Sequence, residues 1–275
     1  MPSQPAAEAT EGGRCRKRAL NQALWRVAYE LLASRFPMPE WAFMNYGYTA
    51  LPPLTDSPEL DPSDEPDRYC IQLYHRVASR VDLTGSTLLE VGSGRGGGLS
   101  YVKRYLRPSL AIGVDLSAVA VRLCNRHRAV AGLVYDHGDA RALQFPDSSF
   151  DAVLNVESSH CYPSMETFIS EVHRVLRPGG HFLFADFRPA EVLPALHRQL
   201  CGCGLRVVEK EVITPNVLEA LELDSDRKLG LIRATVPRWL QGPFRRFAGI
   251  RESQTHESFR TGRHEYVRYV LRKSA

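Results

Sequence analysis

Three carboxylates and one glycine-rich run are spaced as a nucleotide-type cofactor requires. The run is Leu88-Leu89-Glu90-Val91-Gly92-Ser93-Gly94-Arg95-Gly96-Gly97-Gly98. Glycines after an apolar stretch let the backbone turn sharply and approach a ligand, with the amides opening the next helix facing a polar or anionic group. Glu90 lies two residues before Gly92, where a carboxylate can accept hydrogen bonds or pair with a ligand ammonium. Asp115 stands 21 residues after Gly94, at the end of the second apolar run, where a short acid can take both hydroxyls of a ribose. Gly138-Asp139-Ala140 follows the third run and offers a carboxylate to an adenine amino group. Gly92-x-Gly94-x-x-Gly97 alone is shared by many nucleotide binders, dehydrogenases included. A dehydrogenase would need neither Glu90 nor Asp139.

A second constellation follows the fourth run, in Glu157-Ser158-Ser159-His160-Cys161-Tyr162. An imidazole titrates near working pH, which makes His160 the first candidate for a general base. Asp186, ending the fifth run, could orient it or bind the acceptor. Glu157 could do either, and becomes the base if the acceptor is a carbon that loses a proton.

Strand and helix patterns alternate in the order that would position these groups. Apolar strands are read at 87–91, 110–115, 133–136, 150–156, 180–187, 205–212 and 265–272, with helices at 68–81, 96–106, 117–130, 164–177 and 190–201. Such alternation predicts an α/β fold, a doubly wound, mostly parallel sheet that binds ligands beyond the carboxyl ends of its strands. Upstream, 17–36 has helical spacing of leucines, and 37–67 carries seven prolines with an aromatic cluster, Trp41, Phe43, Tyr46 and Tyr48. These segments read as a helix and an aromatic lid over 17–67, after a polar tail at 1–16. Residues 68–275 form the catalytic domain, interrupted by a helical insertion at about 214–262.

The chain of 275 residues is 44% apolar, 9% aromatic and 24% charged, an ordinary globular composition. No stretch approaches the roughly 18 apolar residues of a membrane span, and the first thirteen residues lack a signal-type apolar core. Stable membrane insertion and secretion are therefore not expected. The cysteines at 15, 70, 124, 161, 201 and 203 show no C-x-x-C pair, which fits reduced thiols in a cytoplasmic protein and no metal site. From Arg227 onward there are twelve Lys/Arg against three Glu. A nucleic-acid surface would be denser and interleaved with aromatics, so this basic excess is assigned to a solvated or acceptor-facing region.

Taken together, E-V-G-S-G-R-G-G-G, V-D-L-S, H-G-D-A and R-V-L-R-P-G-G resemble the class I S-adenosylmethionine-dependent methyltransferases. N-Y-G-Y, N-V-E-S-S-H-C-Y and A-D-F-R-P look more narrowly like the subgroup that methylates hydroxyls of lipids, polyketides and their sugars, as in mycobacterial phthiotriol and glycolipid O-methyltransferases. The resemblance implies a Rossmann-like seven-stranded sheet with an antiparallel last strand. It places Glu90, Gly92, Ser93, Gly94, Asp115, Leu116, Asp139, Ala140, Asn155 and Val156 around S-adenosylmethionine, with Tyr46 or Tyr48 closing over it.

Methyl transfer from a sulfonium is an in-line displacement, so the enzyme mainly holds the acceptor and removes a proton. Trp41, Phe43, Trp239, Phe244 and Phe247 supply apolar walls for a small hydrophobic acceptor, and the lid and insertion are the variable parts that would shape its pocket. Arg245 and Arg246 beside those rings also allow a diphosphate, which keeps open C-methylation of an isoprenoid diphosphate. Mg²⁺ is expected only in that case, with Glu157 and Asp186 as its possible ligands. A homo-oligomer and a non-catalytic binding protein on the same fold both remain compatible with the sequence.

Overall fold

Apolar runs bounded by turns pair into a seven-stranded sheet. Its strands are β1 (Thr87–Val91), β2 (Leu110–Asp115), β3 (Leu133–His137), β4 (Phe150–Val156), β5 (Leu176–Pro189), β6 (Leu205–Val212) and β7 (His264–Lys273), in the order β3-β2-β1-β4-β5-β7-β6. Strands β1 to β5 pair in parallel, and β7 lies antiparallel between β5 and β6. The order reverses between β1 and β4, and the crevice outside their carboxyl ends is where such sheets take ligands. The computed structural model describes residues 41–52 and 57–274. The expected tail at 1–16 and helix at 17–36 lie outside the described residues.

Side chains alternate across the strands, so each face has its own core. Leu88, Ala111, Leu154 and Leu183 point to one face, where they meet Ile71 and Leu73 of α1 (Arg68–Ala78), Leu99 of α2 (Gly97–Tyr101) and Val121 of α3 (Ala118–His127). Leu89, Val153, Phe182 and Phe184 point to the other, against Phe168 and Val172 of α4 (Met165–Val175) and Leu196 and Leu200 of α5 (Leu193–Cys201). Ser117 and Ser164 cap α3 and α4, each accepting a backbone N–H of the first turn.

Several boundaries differ from the sequence reading by one to five residues, and two of them, at the ends of β5, have a clear cause. The fourth helix stops at Val175, and Leu176 already pairs with Phe150 across a register irregularity, while Gly179 turns the Arg177-Pro178-Gly179-Gly180 run at φ +79°. At its other end β5 continues to Pro189 because β7 supplies partners there, Arg188 facing Glu265 and Pro189 facing His264. The insertion folds as α6 (Thr214–Thr235), α7 (Gln241–Phe247) and α8 (Gln254–Arg260), with Pro215 in the first turn of α6. No described helix is long and apolar enough to cross a membrane.

Candidate active site

The turn after β1 closes too tightly for side chains. Gly92 sits at φ +79°, and a Cβ there would come within 2.4 Å of Ser158 Oγ and 2.7 Å of Tyr162 Oη. Asn155 on β4 fixes that contact, its amide donating to the Val91 carbonyl (2.8 Å), Ser158 Oγ (2.7 Å) and Tyr162 Oη (3.1 Å). Asp115 braces the turn from β2, accepting the Gly94 N–H on Oδ2 and the Ser117 N–H on Oδ1, each at 2.8 Å. Leu116 beside it is 45% exposed. At the end of β3, Asp139 pairs with Arg141 at 2.6 Å, next to partly buried Ala140.

Three buried polar atoms gathered at the carboxyl ends of β1 and β4 lack a hydrogen-bond partner among the described residues: Glu90 Oε2, Ser93 Oγ and Asn155 Oδ1. Buried polar groups are normally paired, so each such atom calls for an explanation. Glu90 is fully buried and its other oxygen accepts from Tyr74 Oη at 2.7 Å. Burial pushes its carboxyl up to about 8, with the Tyr74 hydrogen bond working the other way. A cation placed at Oε2 would recover the ionised form. Val156, next to Asn155, is buried in the sheet.

On the next strand ends, the sequence-read residues His160, Asp186 and Glu157 come together. Asp186 is fully buried on β5. Its Oδ2 accepts from Ser159 Oγ (2.6 Å) and the His160 N–H (2.9 Å), and its Oδ1 from the Phe187 N–H (2.8 Å). Arg188 Nη1 lies 3.0 Å from the same carboxylate. His160 Nδ1 meets Asp186 Oδ1 at 2.8 Å, which leaves Nε2 to carry the lone pair. The His160 side chain keeps 29% of its surface exposed, and its ring packs 4.6 Å from that of Phe187. Burial works to raise Asp186, but Arg188 and His160 override it and hold the carboxyl well below its usual range. Burial likewise works to lower His160, and the Asp186 charge and hydrogen bond override that, so the imidazole titrates above the ordinary histidine range. Glu157 adopts φ +48°, a left-handed conformation that costs about 1–3 kcal/mol in a residue with a side chain. Its carboxyl is raised to about 7 by burial, against the hydrogen bond that Oε1 accepts from the Tyr46 N–H at 2.8 Å.

That bond attaches the aromatic segment to the site. The Tyr46 ring packs against Phe187 (5.3 Å) and Phe259 (5.6 Å). Tyr48 instead is buried against α1, with the Arg76 guanidinium 5.9 Å from its ring centre. Of the two tyrosines, Tyr46 is the one beside Glu157. Further along, the Gly97 N–H donates to the Ala42 carbonyl (3.1 Å), and the Arg95 guanidinium lies over the Trp41 ring at 5.9 Å, so the same segment is tied to the glycine turn.

Beneath it lies a cleft of about 70 Å³ walled by Trp41, Phe43, Leu231, Ile232, Phe244 and Phe247. Trp239 is 79% exposed and stands outside this lining, as does Arg245. A larger cavity of about 320 Å³ sits at the opposite end of the strands, between Leu83, Asp151, Arg177 and Arg272. It touches none of the sequence-read residues, and Arg177 and Asp151 there pair with each other at 2.5 Å.

Tyr74, Ser159 and Arg188 complete these arrangements and are not among the site residues read from the sequence. Arg188 lies in the A-D-F-R-P run, and its alternation with Asp186 on one strand was the available signal.

Such a sheet, with acids at or just past the ends of β1, β2 and β3 around a glycine turn, defines a nucleotide-cofactor-binding α/β protein. Comparison with known proteins names the cofactor. Residues 89–184 match the family model described as "Methyltransferase domain". The chain is 40% identical over 91% of its length, and 92% of the relative's, to the phthiotriol/phenolphthiotriol dimycocerosates methyltransferase of Mycobacterium tuberculosis. It is 39% identical over 92% of its length, and 91% of the relative's, to a fatty-acid O-methyltransferase of Mycolicibacterium smegmatis. Among solved structures, geranyl diphosphate C-methyltransferase of Streptomyces coelicolor A3(2), crystallised with S-adenosyl-L-homocysteine, shares the fold at TM-score 0.58 and 19% identity, over 83% of this chain and 87% of that one. The chain belongs to the class I S-adenosylmethionine-dependent methyltransferases. The partnerless Glu90 Oε2, Ser93 Oγ and Asn155 Oδ1 fit such a cofactor, with a carboxylate for its ammonium and two neutral groups beside it.

Proposed function

We propose that this enzyme transfers a methyl group to a hydroxyl of a small hydrophobic natural product, a lipid, polyketide or glycosylated derivative, in cytoplasmic secondary metabolism. Glu90, Gly92, Ser93, Gly94 and Asn155 hold the methionine end of the cofactor, Asp115 and Leu116 its ribose, and Asp139 and Ala140 its adenine. Bound S-adenosylmethionine supplies an electrophilic methyl on a sulfonium. The chain's own work is to seat the acceptor and to take its proton at His160 Nε2.

The observation that carries the reading is the His160–Asp186 pair at 2.8 Å. An alcohol is a poor nucleophile until its proton is removed, whereas a carboxylate is already ionised at neutral pH and needs no base. A histidine whose basicity is raised by a buried, Arg188-held aspartate is therefore useful to a hydroxyl acceptor and idle with a fatty acid. With the cofactor supplying the methyl group and leaving as the neutral thioether, His160 Nε2 would take the proton of the acceptor hydroxyl, and the partly exposed ring would return it to water.

C-methylation of an isoprenoid diphosphate keeps one observation in its favour, the buried Arg245 Nε without a partner among the described residues. Against it, both Asp186 oxygens are committed to protein donors, and Glu157 Oε1 holds the Tyr46 N–H, which leaves poor ligands for Mg²⁺. Incubation of the purified protein with S-adenosylmethionine and either a long-chain alcohol or geranyl diphosphate separates the two. S-adenosylhomocysteine and a methyl ether are expected from the alcohol alone, and product from the diphosphate alone would overturn the reading.

A further inference from the structure

Asn45, on the aromatic segment, is 8% exposed and lines the cleft. Its Nδ2 donates to the Cys70 carbonyl of α1 at 3.2 Å, and Cys70 Sγ donates back to the Asn45 carbonyl at 3.7 Å. The Nδ2 bond to the Cys70 carbonyl fixes which way the amide points, with its nitrogen toward α1. Asn45 Oδ1 is buried with no hydrogen-bond partner among the described residues, and so is Trp41 Nε1 in the same lining. Trp41, Phe43, Met44 and Asn45 of the segment all line the cleft.

The charged groups that line the cleft are already paired. Arg227 pairs with Asp224 (2.6 Å) and Asp67 (3.1 Å). Lys228 donates to the Tyr46 carbonyl (3.2 Å) and lies 3.6 Å from Asp224. Two cations are thus matched by two acids, and the unmet capacity in an otherwise apolar cleft is one neutral acceptor and one neutral donor. A hydroxyl supplies both complements. A carboxylate cannot donate to Asn45 Oδ1, and a hydrocarbon would leave both atoms unpaired.

We propose that Asn45 Oδ1 and Trp41 Nε1 read a second hydroxyl on the acceptor, accepting from it and donating to it, so that the enzyme selects long-chain diols over mono-alcohols. This rests on the hydroxyl-acceptor reading above. The second hydroxyl is distinct from the reacting one, because His160 packs on Phe187 and neither residue lines the cleft that Asn45 and Trp41 line. A site built to hydrogen-bond a substrate hydroxyl discriminates strongly against the analogue without it, since its own buried groups are then left unpaired.

The test compares kcat/KM for a long-chain mono-alcohol with matching diols of varied hydroxyl spacing, in wild type, Asn45→Leu and Trp41→Phe. Wild type is expected to favour one diol by about tenfold or more. Asn45→Leu should bring the ratio close to one, and Trp41→Phe, which keeps the ring against Phe244, should lower it partway. Melting curves and calorimetric S-adenosylmethionine affinity show that the variants are folded. A wild type without diol preference, or an Asn45→Leu variant that retains it, overturns the proposal alone. A wild type that methylates fatty acids and no alcohol overturns the hydroxyl reading and this proposal with it.

Discussion

His160 Nδ1 donates to Asp186 Oδ1 across 2.8 Å, and Arg188 holds the same carboxylate at 3.0 Å. The aspartate is thereby kept ionised, and its charge lifts the imidazole. The base works in its neutral form, so the rate should rise with pH through the His160 titration, at a pH above the ordinary histidine value of about 6.5. Asp186→Asn removes the lifting charge. Its rising limb should move to lower pH, and turnover should drop by roughly 10²-fold or more. A pH–rate profile of wild type and variant checks both, and an unmoved limb would count against the pair.

Glu90 links stability to cofactor binding. Its folded carboxyl titrates at about 8 against an ordinary 4.5, so the folded chain holds a proton that the unfolded chain has released. The associated stability is complete below about pH 4.5 and is lost as pH rises through about 8. Glu90→Gln escapes this loss. Its cofactor-free melting temperature should exceed that of wild type near pH 8 by about 2 °C or more, with little gain near pH 5, while S-adenosylmethionine affinity weakens about tenfold. Differential scanning fluorimetry across pH, with calorimetry of the cofactor, tests the trade.

Asp115 braces Gly94 and Ser117 through both oxygens. Asp115→Asn retains the shape but replaces one acceptor with a donor. A Kd for S-adenosylmethionine weaker by about tenfold or more is expected from the lost loop bond and ribose contact together. Unchanged calorimetric affinity would argue that the ribose is held elsewhere.

Two glycine replacements should move stability in opposite directions. At Gly98 a Cβ would lie 1.8 Å from the Tyr74 ring, the ring whose hydroxyl holds Glu90. Gly98→Ala should cost about 1–3 kcal/mol or more by overpacking. Gly230, inside α6, has open space around its Cβ position, and Gly230→Ala should gain about 0.5–1 kcal/mol from helix propensity. Urea melts of the two variants read both signs.

Most of the strands were legible because buried parallel strands are short apolar runs between turns, and β1, β2, β4 and β6 begin and end where the sequence places them. The acids Glu90, Asp115 and Asp139 stood out in the sequence because they lie one residue before the end of β1, at the end of β2 and two residues past β3. The end of α4 and the start of β5 were not, since Leu176 leaves helical geometry only through its pairing with Phe150. Tyr74 was silent for the same reason, since its role comes from Glu90 across the helix-to-sheet contact. Asn45 stands in the N-Y-G-Y run, but its partner Cys70 on α1 is distant in the chain. Trp239 shows the converse, an aromatic read as a wall that stands 79% exposed.

The most direct test of the central claim is S-adenosylhomocysteine release on addition of a long-chain diol, measured in single turnover for wild type and His160→Gln at matched cofactor saturation. The account predicts product only when the alcohol is present, and a chemical step slowed by roughly 10²-fold or more in the variant with cofactor affinity nearly unchanged. Equal single-turnover rates in the two proteins would contradict it.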